Sequence, residues 1–291
     1  MSPATAEILV QAAAAVHIDA TDAIPLRVGT HATFLLPGGI VARIGEPGSR
    51  PVAVRELRIS AWLNRSGVPT VEAADLDQPI VIDHRPITWW RFIPEHRTAT
   101  PAELATALRR LHALPPSTTL ELPAHDPFAE IREHIDRSTA IPSEDRAWLL
   151  RHEQDLRQRY VRLPLPERPS VIHGDAWQGN VIVPPYGTPI LLDLATVALG
   201  RPEWDLIPIA VDHTDFDRLT FADYRAFVDA YGGYDLTRAA DFRIFADIQE
   251  LRWTAFAIEL ADRREDARAE SRHRIACLRE QVERPWSWRA L

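Results

Sequence analysis

Lysine is absent from this chain, and all 33 of its basic residues are arginines. Schiff-base chemistry on a lysine is therefore excluded, and any side-chain cation that grips a phosphate must be a guanidinium. Cysteine occurs once, at Cys277, which rules out an internal disulfide framework and a cysteine-clustered zinc site and fits a reducing compartment. No Arg or Lys precedes Arg27, and no apolar run approaches membrane-spanning length. Neither a signal peptide nor a membrane segment is expected, and the expected location is cytoplasmic. Positive charge is also in deficit: the net charge of -8 disfavours nucleic acid as a partner.

What is present is an ordinary globular composition. The 291 residues with an apolar share of 46% can bury one large core or two modest ones, so two lobes are expected. Negative charge is concentrated rather than spread: residues 203–270 hold 16 acidic residues against 8 arginines, the whole of the net charge.

Residues 33–45, TFLLPGGIVARIG, place two apolar runs around Pro37-Gly38-Gly39 and predict a β-hairpin. Residues 52–64 have helical spacing, and two extended runs follow at 79–83 and 86–92. Strand, strand, helix, strand, strand suggests a small α+β lobe over 1–95, followed by a mainly helical lobe over 96–291. Thr100-Pro101-Ala102-Glu103 has the N-cap, N1 proline and N3 glutamate of a capping box. Further helices are expected at 127–138, 143–161, 203–211, 221–231, 239–262 and 265–283, with a β interruption from 170 to 193.

That interruption carries the chemistry. Val171-Ile172 leads into His173-Gly174-Asp175, and Asn180 follows Asp175 by five residues. Strands over 181–183 and 190–192 would fold into a hairpin that brings Asn180 and Asp193 to one end. A carboxylate and an amide oxygen are hard ligands suited to Mg²⁺. Asp175, on the preceding loop, can accept a hydrogen bond from a substrate hydroxyl and take its proton. Asp193 emerges from an apolar strand, where an unpaired charge would be costly, so it needs a metal or a donor.

These residues resemble the aminoglycoside phosphotransferase family, which includes choline and homoserine kinases and is distantly related to protein kinases. HGDAWQGN is similar to the family's catalytic-loop pattern HGDxxxxN, and LLDLATVALGRPEWDL to its metal-binding segment. The resemblance implies a bilobal, protein-kinase-like α+β fold, with nucleotide bound by the lobe 1–95 and catalysis and the acceptor carried by the lobe 96–291, and an ATP- or GTP-dependent, Mg²⁺-dependent kinase. It makes Asp175 the catalytic base, His173 a loop-organising residue, Asn180 and Asp193 metal ligands, and Asp205 a brace of the loop. Strand alternation puts Val41 and Arg43 on one face. In kinase-like folds such a pair meets adenine and the phosphates, with Glu56 at the position of the glutamate that pairs with the cation. Arg91 and Ile93 fall at the resembling family's adenine-reading peptide positions. Gly29-Thr30-His31-Ala32 marks the approximate place of a phosphate loop.

The acidic C-terminal helices imply a small hydroxylated, cationic acceptor, with Asp212, Asp215, Asp247, Glu250 and Glu259 as candidate contacts. Solvated helix faces are the other account of these carboxylates. Aminoglycosides or other amino sugars lead as acceptors, with the antibiotic-resistance role this implies. Other antibiotics and choline-like or homoserine-like metabolites follow. A nucleotide-binding pseudokinase and a metallophosphoesterase are the competing classes. The first is disfavoured by the presence of Asp175, Asn180 and Asp193, and the second by the lack of further metal-binding histidines in suitable context.

Overall fold

In the computed structural model, which describes residues 3–28, 32–164, 166 and 168–291, helix α1 (Pro3–Ala15) precedes strands β1 (Ile24–Val28), β2 (Ala32–Leu36) and β3 (Ile40–Ile44). The β2–β3 hairpin turns at Gly38 and Gly39, whose φ values of 81° and 74° suit residues without a Cβ. Helix α2 (Arg50–Arg65) and strands β4 (Ile80–Ile82) and β5 (Arg85–Arg91) follow. The five strands form one antiparallel sheet in the order β1-β2-β3-β5-β4.

Alternation decides what this sheet buries. Phe34, Leu36, Ala42, Ile44, Ile87 and Trp89 turn into a core that α1 completes with Ile8, Leu9, Ala12 and Ala13. Val41 and Arg43 stand on the other face, as expected. Helix α1 and strand β1 have no counterpart in the expected elements. The alanine-rich PATAEILVQAAAA has no sharp division into apolar and polar faces, so its periodicity is weak.

Packing divides the chain elsewhere than at a single cut after residue 95. One compact unit comprises Met1–Leu122 and Gln178–Val197, and the other Pro123–Trp177 and Ala198–Leu291. Strand pairing is the reason. Strand β6 (Arg97–Thr98) pairs with β8 (Val181–Val183), which pairs with β9 (Ile190–Leu191), so the hairpin at 181–191 belongs to the first unit. Helix α3 (Pro101–His112) joins that unit through the expected capping box, with Glu103 N donating to Thr100 Oγ1 at 3.3 Å and Thr100 N to Glu103 Oε2 at 2.8 Å.

The second unit holds α4 (Ile131–Arg137), α5 (Ser143–Tyr160), β7 (Ser170–Ile172), β10 (Ala198–Gly200), α6 (Glu203–Thr214), α7 (Phe221–Tyr231), α8 (Phe242–Ala261) and α9 (Glu265–Leu278). Helix α4 begins at Ile131 rather than 127, because Glu130 has left-handed backbone with φ 64°. Helix α9 stops at Leu278, five residues short of the expected end. Ile248, Leu251, Ala255 and Ile258 of α8 are fully buried, which makes α8 the central helix of this unit. No helix among the described residues is long and apolar enough to cross a membrane. The mixed α/β organisation, a small antiparallel sheet followed by a helical C-terminal part, is the protein-kinase-like class expected.

Candidate active site

In the first unit, Asn180 and Asp193 leave the same end of the β8–β9 hairpin. Val181 pairs with Leu191 and Ile182 with Ile190, and Leu192 N donates to Asn180 O at 2.9 Å. Helix α2 locates this hairpin through the segment that follows it. The Asn64 side chain donates to Thr70 Oγ1 at 2.7 Å and accepts from Thr70 N at 3.0 Å, while Ser60 donates to Val71 O. Residues 69–71 then grip β9: Leu191 N donates to Pro69 O and Val71 N to Leu191 O, each at 3.0 Å.

This register brings α2, β3 and the hairpin end together at one guanidinium. Arg43 donates to Glu56 Oε1 at 2.6 Å and to Asp193 Oδ1 at 3.1 Å. Burial works against the Arg43 charge, but Glu56 and Asp193 more than offset it and hold its pKa above the usual value. Burial also pushes Glu56 upward while Arg43 pulls it back. Side-chain exposure separates the two acids: Glu56 is 7% exposed and Asp193 38%. Glu56 is thus the internal anchor and Asp193 the outward-facing member.

The donor set fits a hard cation. Asn180 supplies an amide oxygen and Asp193 a carboxylate, with no soft donor between them. Among the described residues, no cluster of three or more His, Cys, Asp or Glu side chains could cage a metal alone. A pair of oxygen donors leaves coordination positions for water and phosphate, as Mg²⁺ prefers. Of the other nucleotide-side expectations, Arg91 is paired loosely with Glu72 at 3.7 Å, and Ile93 O meets His96 Nδ1 at 2.6 Å. Gly29, Thr30 and His31 of the expected phosphate loop lie outside the described residues.

The second unit builds the candidate catalytic loop. Strand β7 pairs with β10, Ile172 opposite Ala198, and releases the chain into His173-Gly174-Asp175. Asp205, in the first turn of α6 and fully buried, accepts from His173 N at 2.6 Å and Gly174 N at 2.8 Å. One carboxylate thereby satisfies two successive backbone donors, and the helix dipole favours its charge at that position. Gly174 has φ 81°, the left-handed turn that the loop needs before Asp175. His173 is fully buried beside this brace.

Asp175 lines a cavity of about 260 Å³ whose walls include Trp177, Trp204, Asp212, Gln249, Arg252 and Trp253. Of the five carboxylates expected to meet a cationic acceptor, only Asp212 lines this cavity, and Arg218 occupies it at 3.0 Å. Burial raises the Asp212 pKa, with Arg218 acting against the rise. Asp215, Asp247 and Glu250 are bound by Arg243 at 2.8, 2.6 and 2.7 Å. Arg284 adds bonds to Asp215 and Glu250, and Arg159 approaches Asp247 at 3.5 Å. Burial pushes Glu250 up to about 8 even with Arg243 pulling it down. Glu259 is only loosely paired, with Arg263 at 3.9 Å. Four of the five candidate acceptor carboxylates are therefore already held by arginines inside the unit.

Among the cavity residues that escaped the sequence reading are Arg252 and Gln249, one turn apart on α8 in the stretch IQELRWTAFAI. A glutamine on the buried stripe of a mostly apolar helix, with an arginine three residues on, was the available signal.

Comparison with known proteins bears on the fold and the family. No curated protein sequence matches the chain. Among solved structures, a choline/ethanolamine kinase family protein from Mesorhizobium loti superimposes with a TM-score of 0.71 at 21% identity, covering 97% of this chain and 95% of the other. An amicoumacin kinase in complex with AMP-PNP, Ca²⁺ and Ami gives 0.75 at 13% identity, with 95% and 93% covered. A spectinomycin phosphotransferase in complex with ADP and spectinomycin gives 0.66 at 14% identity, with 96% and 95% covered. At these identities the likeness is one of fold. The sequence profile of the phosphotransferase enzyme family matches residues 23–243, which include Arg43, Glu56, Asp175, Asn180, Asp193 and Asp205, and the chain belongs to that family.

Proposed function

We propose that this phosphotransferase moves the terminal phosphoryl group of ATP or GTP onto an alcohol of a small molecule. The observation that carries the reading is Asp175, set by the Asp205 brace against a cavity of about 260 Å³. In this reading Asp175 accepts the hydroxyl proton while the new oxygen–phosphorus bond forms and the bond to the leaving diphosphate breaks. Arg43, anchored by Glu56, binds phosphate oxygens. Mg²⁺, which Asn180 and Asp193 would hold, supplies charge neutralisation on the phosphates when bound. Val41 would pack against the base, and the peptide groups of Arg91 and Ile93 would read its edge. The AMP-PNP and ADP named with the neighbouring structures support the nucleotide side, and their small-molecule partners support the acceptor side.

An amino-sugar acceptor, and with it a role in antibiotic resistance, rested on the acidity of the C-terminal helices. That support narrows to Asp212, since Asp215, Asp247 and Glu250 already hold arginines. Other hydroxylated antibiotics and amino-alcohol metabolites keep an equal place.

The test is incubation of the purified chain with Mg-ATP or Mg-GTP and an acceptor panel, read by mass spectrometry for gain of one phosphoryl group. The reading fails if no acceptor is phosphorylated, or if Asp175→Asn leaves the observed transfer unchanged. Thermal stabilisation by Mg-ATP without any transfer would instead indicate a nucleotide-binding pseudokinase.

A further inference from the structure

The charges around the acceptor cavity balance in number but not in pairing. Its ionisable lining consists of Asp175, Asp212, Arg218 and Arg252. Arg218 is committed three ways: to Asp212 at 3.0 Å, to Trp288 O at 2.7 Å, and over the Phe216 ring at 4.4 Å. Asp175 is the proposed proton acceptor. Arg252 is left over.

Its surroundings are those of a cation awaiting a partner. Among the described residues no carboxylate lies within ion-pairing distance of Arg252, and its one hydrogen bond is a long one, 3.5 Å, to His125 Nε2. Burial lowers the Arg252 pKa, and the pull of Asp175, Glu130 and Asp126 acts only over longer distance. His125 cannot serve as a counter-ion, because an imidazole is neutral or positive; burial and Arg252 push its pKa down to about 4, so it meets Arg252 as a neutral ring. The half-buried guanidinium has five donors, and the single long bond to His125 uses only one of them. Gln249, one helical turn away, adds an amide to the same wall, and Trp177, Trp204 and Trp253 add flat apolar faces.

We propose that the acceptor carries an anionic group of the carboxylate class, received by Arg252 and Gln249, with a flat or apolar body against the three tryptophans. This deepens the proposed function and rests on it for the acceptor's role. The acceptor would be a small hydroxy acid or a zwitterion rather than a polycation. Arg252 is then the residue that sets specificity, because a neutral or cationic analogue would leave its donors unmet.

Three alcohols of matched size test this: 3-phenyllactate, its neutral amide 3-phenyllactamide, and the cationic phenylalaninol. Each is titrated into the full chain by calorimetry. Wild type should bind 3-phenyllactate at least about ten-fold tighter than either other probe, the usual scale of a lost charge-assisted hydrogen bond. Arg252→Met should abolish that preference, Arg252→Lys should keep part of it, and Gln249→Leu should reduce it by a smaller factor. A purely structural Arg252 would shift melting temperature and leave the order of the probes unchanged. If Arg252→Met does not fold, the wild-type order together with Gln249→Leu decides. Equal or tighter binding of phenylalaninol, no binding of 3-phenyllactate in the millimolar range, or a preference that survives Arg252→Met would each overturn the proposal.

Phosphoryl transfer is measured separately. Arg252-dependent binding of 3-phenyllactate with no alcohol phosphorylated would keep the anion site and sink the kinase reading. Preferred phosphorylation of phenylalaninol would do the reverse.

Discussion

In the first unit Arg43 is shared by Glu56 and Asp193, and in the second Arg243 is shared by Asp215, Asp247 and Glu250. The parts are the same and the balance differs. Around Arg43 two carboxylates face one cation, and the surplus charge sits on Asp193, the exposed member. Around Arg243, Arg284 and Arg159 bring the cations level with the three carboxylates, and Asp215 and Glu250 are buried. The second cluster fastens the end of the chain. Trp286 N donates to Asp215 O at 2.8 Å, and Arg284 lies 3.9 Å over the Trp286 ring. Charge left over on an exposed carboxylate is what a candidate ligand site needs, whereas charge made neutral inside serves architecture.

The largest expected effect breaks the first cluster. Arg43→Met strands Glu56 in the interior, and chemical denaturation should register a loss of about 3–5 kcal/mol. Adding Glu56→Leu should return most of that stability without restoring nucleotide affinity measured by calorimetry. Recovery of both would mean that the pair is architecture after all. Next in size, Asp175→Asn should lower turnover at least about 10²-fold while nucleotide binding is largely spared. Near-normal turnover would remove Asp175 from the mechanism.

A smaller effect appears with acid, in the second unit. His125 titrates at about 4 in the fold against an ordinary 6.5, so the unfolded chain binds more protons between those values. Stability therefore falls as pH drops through that window, by at most about 3 kcal/mol, and His125→Gln should flatten the slope in urea melts. A steeper slope in the variant would contradict the assignment. The smallest effect sharpens the contrast. Asp247→Asn should leave KM for the acceptor and turnover within about two-fold, and stability within about 1 kcal/mol, because partly exposed pairs of this kind contribute little. A large rise in KM would restore Asp247 to the acceptor site.

The local geometry of the candidate catalytic segment was legible because its determinants are short-range. The turn at Gly174 and the hairpin that returns Asp193 beside Asn180 depend on runs of a few residues, and Asp205 belongs to the same stretch. Arg43 could be placed by alternation alone. The fate of the acidic helices could not be read in this way. Arg243–Asp247 is a four-residue spacing that a sequence shows, but Arg243 reaches Asp215 across 28 positions and Arg284 reaches Glu250 across 34. Only packing decides whether such acids meet solvent or each other. The same limit hid Arg252, whose isolation depends on what α8 faces.

Asp193 also has left-handed backbone, with φ 53° and ψ 66°. Few side chains other than those of Asp and Asn stand there without strain, and glycine, which does, brings no oxygen. The candidate metal position is thus guarded twice, by its chemistry and by its torsion angle. An alanine replacement would confound lost ligation with a bent chain. Asparagine is the substitution that separates the two.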